Sequence, residues 1–186
     1  MRVLDIIGFA LALLGRRGLI PYISDPSKAP DEDAGEVIET LLYCFNAVEN
    51  ELARKYIPLV FREEMSSANN KFYFEDFEYY PVKIRKVTAD GKKVTFDVLT
   101  GYMEVKAKKI VVEYEYVPSR KTLNSDSDYG RDVGEYLIAL GIASEYAVIN
   151  GEAEMADMWE KAYREQLDGV QRALPVCAHI PPRRWT

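Results

Sequence analysis

Residues 132–173 constrain the fold most, because their pattern predicts two helices joined by one tight turn. Apolar residues recur every three or four positions in both halves, which is the spacing of one helix face. They are Val133, Tyr136, Leu137, Leu140, Ala143, Ala147 and Val148 in the first half, and Met155, Ala156, Trp159, Ala162, Tyr163, Leu167 and Val170, on the same side as Gln166, in the second. Asn150 and Gly151 separate the halves, and both residue types tolerate the left-handed conformation that ends helices. Asp132 stands three residues before Glu135, so it is predicted to cap the first helix.

This helical hairpin needs a partner surface, because helices of its length are marginal in water on their own. The N-terminal third supplies one, with a first helix predicted over residues 3–14 and a long second helix over residues 33–56. The exposed face of the second helix is predicted to carry Glu36, Glu39, Glu49 and Arg54. Residues 1–58 and 130–174 are therefore predicted to form one helical bundle domain.

Between residues 59 and 117 the apolar period changes from helical to alternating, which predicts β-strands. Asp90-Gly91 lies between two alternating runs and is a hairpin signature, since a primed turn requires positive φ. We expect a small antiparallel sheet of about four strands with one wet face, followed by a polar loop. The predicted fold class is α+β: a mainly helical bundle, built from the N- and C-terminal helices, with residues 59–129 as an inserted small antiparallel β-sheet.

Residues 175–186 contain three prolines and are predicted to form an extended C-terminal tail. Arg183, Arg184 and Trp185 lie close together in it, and these residue types are enriched at protein–protein hot spots. A docking tail and an end that packs back on the domain both fit this composition.

The residue types that carry most enzyme chemistry are sparse in this sequence. His179 is the only histidine, and it stands with Cys177 in the proline-bounded tail, where packed neighbours are not expected to orient a site. Cys44 is interpreted as a small core residue of the second helix. There is no glycine-rich phosphate loop and no dinucleotide-binding fingerprint. We therefore predict no catalytic residue, no metal site and no cofactor.

Carboxylates leave one enzymatic alternative open. Glu113 and Glu115 could serve a small metal-dependent hydrolase or nuclease, which would need acidic groups converging in a cleft. Both alternate with tyrosines, so they fit better on the solvated face of a strand. Residues 124–128 (NSDSD) lack the glycine and the distal glutamate of an EF-hand loop and are interpreted as a polar surface loop.

Charge and aromatic content indicate the kind of partner. The net charge of −6 argues against non-specific duplex binding as the main task. Thirteen tyrosines offer adhesive surface to neighbours, and the predicted subunit-interface residues of the insert are Tyr79, Tyr80, Tyr114 and Tyr116. No run approaches the ~20 apolar residues that span a bilayer, so no membrane partner is expected.

Two segments carry a resemblance to a known family. Residues 3–7 (VLDII) and 10–15 (ALALLG) form the first, and residues 141–151 (GIASEYAVING) with 154–159 (EMADMW) and Tyr163 form the second. In this order, flanking a β insert, they resemble the first helix and the final helical hairpin of the head-to-tail adaptor proteins of tailed bacteriophages, also called tail tubular or head-completion connector proteins. The β insert itself carries no diagnostic motif.

The resemblance implies a structural virion protein and no enzyme. It implies a ring, usually of twelve copies, in the neck between capsid and tail, which binds the portal and a downstream tail, stopper or nozzle protein. The ring would be assembled in the host cytoplasm and would extend the DNA channel, with DNA passing through the lumen without specific binding. The C-terminal segment of such proteins commonly docks on the portal, which here implies Ile180, Arg183, Arg184 and Trp185 as anchors.

Two other functions stay open beside the adaptor. One is the metal-dependent hydrolase or nuclease that uses carboxylates of the insert. The other is a ligand-binding or regulatory module with no assembly role.

Overall fold

Four α-helices and seven β-strands account for most of the chain that the structure describes. The structure is a computed structural model, and it describes residues 1–28 and 32–173, without the side chain of Glu32. The helices are α1 (Val3–Leu13), α2 (Glu32–Glu51), α3 (Glu135–Ile149) and α4 (Ala153–Ala173). The strands are β1 (Leu59–Ser66), β2 (Lys71–Tyr73), β3 (Pro81–Ala89), β4 (Lys92–Lys93), β5 (Phe96–Leu99), β6 (Tyr102–Val105) and β7 (Lys109–Tyr116). A π turn at Leu52–Tyr56 extends α2, and short 3-10 helices occur at Arg17–Tyr22, Pro26–Lys28 and Phe74–Asp76.

Helix α3 lies at the centre of the helical region and is buried on nearly every side. Helices α1 and α2 pack against it, and α4 runs back along it after the turn. Its buried residues are Leu137, Ile138, Ala139, Leu140, Gly141, Ile142, Ala143, Ser144, Tyr146 and Ala147. The predicted stripe is wrong at Tyr136 and Val148, which are exposed. A helix with partners all round needs apolar residues all round, so a single stripe does not describe it.

Gly141 sits where α3 is most closely approached by its neighbours. A Cβ atom at this position would lie 2.8 Å from Cγ1 of Val48 on α2 and 3.1 Å from Cε2 of Tyr163 on α4. Both distances are too short for ordinary packing, because core side chains are already at crystal-like density. Glycine is therefore what allows α2 and α4 to contact α3 at the same level.

The start of α3 differs from the sequence prediction, whereas its end agrees with it. The predicted cap Asp132 is exposed, and the capping position is held by Gly134, at φ 82°, with no side-chain hydrogen bond. The backbone N–H groups of Val133 and Gly134 instead donate to the carbonyl of Gly130, so a separate turn precedes the helix. At the other end Gly151 adopts φ 71°, which confirms the predicted turn between α3 and α4.

The β region corrects the predicted fold class. The protein is α+β, about 49% helical and 24% strand, with two antiparallel sheets of four and three strands. The four-stranded sheet has the order β1-β7-β3-β4 and the three-stranded sheet the order β2-β6-β5. A mainly helical bundle that carries one small sheet is therefore the wrong description. The sequence pattern missed β1, where the polar Glu63 occupies an inward position, and the four-residue strand β6.

The two sheets pack face to face around a second, aromatic core. Its buried members are Phe72, Phe77, Val87, Met103, Val105, Ile110, Val112, Tyr114 and Tyr116. Asp90 and Gly91 form the predicted hairpin turn, with φ values of 49° and 75°. After this turn the chain pairs briefly with β3 through β4 and then joins the other sheet as β5. One hairpin thus connects both sheets.

The helical and sheet regions meet where α2 ends. Leu59, at the start of β1, packs against both hydrophobic cores. In the described residues, 1–28 and 32–173, no helix is both long enough and apolar enough to cross a membrane.

Candidate functional site

The buried carboxylate of Glu49 is the most unusual polar group of the described chain. Glu49 is only 1% exposed, which contradicts its predicted place on the exposed face of α2. Its Oε1 atom accepts a hydrogen bond from the Ser127 hydroxyl at 2.6 Å and one from the Asp128 backbone N–H at 3.0 Å. Three residues earlier on α2, Asn46 accepts from the Lys121 N–H at 2.7 Å and donates to the Lys121 carbonyl at 3.2 Å. These bonds fasten the loop of residues 118–129 to α2.

Burial raises the pKa of the Glu49 carboxyl, and the hydrogen bonds from Ser127 and Asp128 lower it in part. The Lys121 ammonium lies 2.5 Å from Oδ1 of Asp128, next to this carboxyl, and also favours its charged form. The Ser127 hydroxyl is buried and donates its hydrogen to Glu49, so it is not presented to a substrate. The arrangement acts as a structural staple between the loop and the helix.

Residues 124–128, which were interpreted as a polar surface loop, hold the N-terminal segment. The Val3 N–H donates to the carbonyl of Ser125 at 3.0 Å, and the Ser127 N–H donates to the carbonyl of Met1 at 2.8 Å. Asp126 is exposed and lies 3.9 Å from the N-terminal amine. The loop is thus in part a packing element.

The carboxylates of the enzymatic alternative lie on the outer face of the four-stranded sheet. Glu115 is paired with Arg85 at 2.9 Å and with Lys83 at 3.8 Å. Glu113 stands in register between Arg62 of β1 and Lys86 of β3. Each carboxylate thus has cationic neighbours on the adjacent strands. Within residues 1–28 and 32–173, no group of three or more His, Cys, Asp or Glu side chains is placed to hold a metal ion.

Cys44 is fully buried in the helical core, as the sequence predicted. Burial raises the pKa of its thiol to about 12, so the thiol stays protonated near neutral pH. The other residues considered for thiol or imidazole chemistry, Cys177 and His179, lie outside the described residues.

The four tyrosines predicted at a subunit interface have different places. Tyr114 and Tyr116 are buried in the sheet core, and the Tyr114 hydroxyl donates to Oε1 of Glu63 at 2.8 Å. Tyr79 is half-buried and stacks on Tyr116, with ring centroids 4.3 Å apart. Tyr80 is exposed. Of the four rings, Tyr80 and the outer part of Tyr79 are at the surface of the subunit.

The predicted portal-docking residues Ile180, Arg183, Arg184 and Trp185 lie outside the described residues. Their role stays a prediction.

Exposed apolar side chains gather at two places. The first, the helical tip, consists of Val148 and Ile149 at the end of α3 with Met155 and Met158 at the start of α4. Met155 and Met158 are three residues apart, so they share one face of α4. Val148 and Met155 were predicted to lie on buried stripes, and both are exposed. No partner within the described chain covers this end of the hairpin.

The second place, the edge cleft, lies between β3 and β5. It has a volume of about 290 Å³ and is lined by Phe74, Pro81, Val82, Lys83, Ile84 and Val98. Tyr80 stands beside it, with its ring centroid 6.3 Å from that of Phe74. The cleft opens because β5 leaves β3 for the other sheet. Sequence reasoning missed it, since the crossing of a strand between sheets leaves no periodic signal.

A comparison with models of known protein families finds no match to this chain.

Proposed function

We propose that the protein is a structural component of a virion, a head-to-tail adaptor that forms a ring between portal and tail. The observation that carries this proposal is the pair of exposed apolar surfaces, the helical tip and the edge cleft. Contiguous apolar surface outside a core is typical of protein–protein contacts. The resemblance of the first and last helices to head-to-tail adaptors indicates which assembly these contacts would form, a ring between portal and tail.

A ring needs two different contact surfaces on every copy, because each subunit meets one neighbour on each side. The tip and the cleft meet this requirement, since they belong to different elements and have different shapes. The well-packed helical region between them would hold the two surfaces at a fixed distance.

In this proposal the tail of residues 175–186 docks on the portal through Ile180, Arg183, Arg184 and Trp185. A further tail, stopper or nozzle protein would bind the opposite side of the ring. The DNA would pass through the lumen, and the net charge of −6 would disfavour tight binding of a polyanion. The protein would act in the neck of the virion.

Truncation after Leu174 tests the docking role directly. We expect the truncated protein to lose binding to its cognate portal in a pull-down while its thermal unfolding stays cooperative. A matched control replaces Arg16 and Arg17 by alanine, which removes two exposed arginines of another segment and should leave portal binding intact. Retention of portal binding by the truncated protein would refute the docking role. Electron micrographs of the protein with the portal test the ring itself.

The metal-dependent hydrolase is the weaker proposal. Its candidate Glu115 already has two cationic partners, Arg85 and Lys83, on the exposed face of the sheet. Under the hydrolase proposal, replacing Glu113 and Glu115 by alanine should abolish a metal-binding signal in calorimetry. Under the adaptor proposal the same change should leave ring formation on the portal intact.

A further inference from the structure

We propose that copies of this chain join head to tail, with the helical tip of one copy seated in the edge cleft of the next. This inference names the subunit contact of the proposed ring and so rests on the adaptor function. It is drawn from the shape, the charge and the relative position of the two surfaces.

The helical tip is an apolar projection with an acidic rim. Val148, Ile149, Met155 and Met158 provide its apolar surface. Glu152, Glu154 and Asp157 surround them and are exposed. An apolar partner surface with a basic residue at its border would therefore complement the tip.

The edge cleft has an apolar floor with one basic residue at its border. Lys83 lines the cleft with a side chain that is 70% exposed, and its ammonium lies 3.8 Å from Oε1 of Glu115. Because most of the side chain is exposed, Lys83 can face a carboxylate of the tip.

The cleft is also open to an incoming side chain. Within the described residues, β4 covers only the last part of β3, through Thr88 and Ala89. The earlier part of β3 has register shifts between Pro81 and Lys83 and again between Ile84 and Lys86. Such irregularities disfavour the addition of another strand at this edge. Methionine side chains are unbranched and adaptable, so Met155 and Met158 suit an irregular apolar cleft.

The tip of a molecule cannot reach its own cleft. Near the C-terminal end of α4, Gln171 donates a hydrogen bond to the carbonyl of Tyr56, just before the sheet region begins. The tip is at the other end of this helix, roughly 25 Å away at 1.5 Å per residue. The tip and the start of the sheet region, to which the cleft belongs, therefore lie at opposite ends of α4, so a second copy is needed to bring tip and cleft together. A contact between two different surfaces closes into a ring or continues as a filament.

The test uses the full chain in sedimentation velocity, at rising protein concentration and low salt. The tip variant carries Met155→Ser with Met158→Ser, and the cleft variant carries Val82→Ser with Val98→Ser. We expect the wild type to self-associate and each variant to associate at least about tenfold more weakly, because each loses two apolar side chains from the contact. A control variant, Tyr43→Ser, alters an exposed apolar residue of α2 and should associate like the wild type.

Mixing the variants makes the test specific for a head-to-tail contact. The tip variant keeps an intact cleft and the cleft variant keeps an intact tip, so an equimolar mixture should form pairs and nothing larger. A charge exchange adds a second readout: Asp157→Lys and Lys83→Asp should each weaken association, and the two together in one chain should restore part of it.

Three results would overturn the proposed contact. They are a wild type that stays monomeric at every concentration, variants that associate like the wild type, and mixtures that grow beyond pairs. If the wild type stays monomeric and the cleft variant loses portal binding, the occupant of the cleft is the portal and the proposal is wrong. Portal binding by the wild type tests the adaptor function separately. The protein could bind the portal without self-associating through this contact, and it could self-associate without binding the portal.

Discussion

The helical region and the sheet region of this protein are stabilised in different ways. The helical core surrounds one central helix with mostly aliphatic side chains, and the buried Glu49 carboxylate fastens a loop to it. The sheet core is smaller and aromatic, and its outer face is a row of alternating charges. The comparison teaches that close packing is concentrated in the helices, whereas the sheets offer edges and charged surface. Substitutions should therefore act globally in the first region and locally in the second.

The largest effect is expected for Gly141→Val, because the new side chain would overlap Val48 and Tyr163. Overpacking of a dense core typically costs 1–3 kcal/mol, and we expect a value of about 3 kcal/mol here. Urea denaturation should show the loss in every probe of the helical region.

Gly169→Ala is the matched control, since both glycines lie in α-helices. A Cβ atom at Gly169 meets nothing within 4 Å. This variant should gain about 0.5–1 kcal/mol in the free energy of unfolding from helix propensity alone. If Gly141→Val were as stable as Gly169→Ala, the contact of α2 and α4 with α3 would have room for a side chain at residue 141, and the explanation for Gly141 would be wrong.

A smaller effect, about 2 kcal/mol, is expected for Glu49→Ala, which leaves the Ser127 hydroxyl and the Asp128 N–H without their acceptor. Glu49→Gln keeps an acceptor oxygen at the same place and should stay within about 1 kcal/mol of the wild type. Thermal unfolding of both variants measures the difference. Equal destabilisation by both changes would show that the negative charge, and not the acceptor, holds the loop.

The stability difference between the wild type and Glu49→Gln should also depend on pH. Burial raises the pKa of Glu49 above its ordinary value of 4.5, so the native state holds this proton to higher pH than the unfolded chain does. As the pH rises from 4.5 through the raised pKa, the wild type should therefore lose stability relative to Glu49→Gln. Denaturation midpoints of both proteins between pH 4 and pH 8 measure this difference, and parallel curves would contradict it.

In the sheet region, Gly91→Ala should cost about 1 kcal/mol, because φ is +75° at this turn and alanine is strained there. Hydrogen exchange should become faster in β3, β4 and β5 and remain unchanged in α3. Gly91→Asn should have a milder effect, since asparagine tolerates this conformation. Loss of protection in α3 would show that the two regions unfold together.

The smallest effect is expected for Arg85→Ala, which removes the partner of Glu115 on the exposed face of the sheet. Surface ion pairs contribute about 0.2–1 kcal/mol, and salt screens them. The difference from the wild type should shrink further at high ionic strength in chemical denaturation. A large or salt-independent loss would mean that this face is covered.

The parts of the fold that could be predicted are those with local signals. Helices α1, α2 and α4 follow from their periodicity, and the turn at Asp90-Gly91 follows from its residue types. Strand β1 was missed because Glu63 occupies an inward position and so breaks the apolar alternation. The Glu63 carboxylate accepts a hydrogen bond there from the Tyr114 hydroxyl.

The candidate surfaces could be predicted less well than the fold. Glu49 resembles any charged residue of an amphipathic helix, and its partner Ser127 is 78 residues away in the sequence. Exposure of Val148 and Met155 depends on where the hairpin extends beyond its neighbours, which is a tertiary property. The four tyrosines predicted at a subunit interface could not be told apart by residue type, and the structure exposes Tyr80 while it buries Tyr114 and Tyr116.

The position of α3 in the chain has a consequence for biosynthesis. Helices α1 and α2 leave the ribosome before the strands, yet α3, which packs against both of them, follows only after both sheets. The sheets are built from strands close together in sequence, whereas the helical core depends on contacts across the whole insertion, and such non-local contacts form slowly. We therefore expect the nascent chain to expose the apolar faces of α1 and α2 until translation passes residue 149, which makes them natural binding sites for a chaperone.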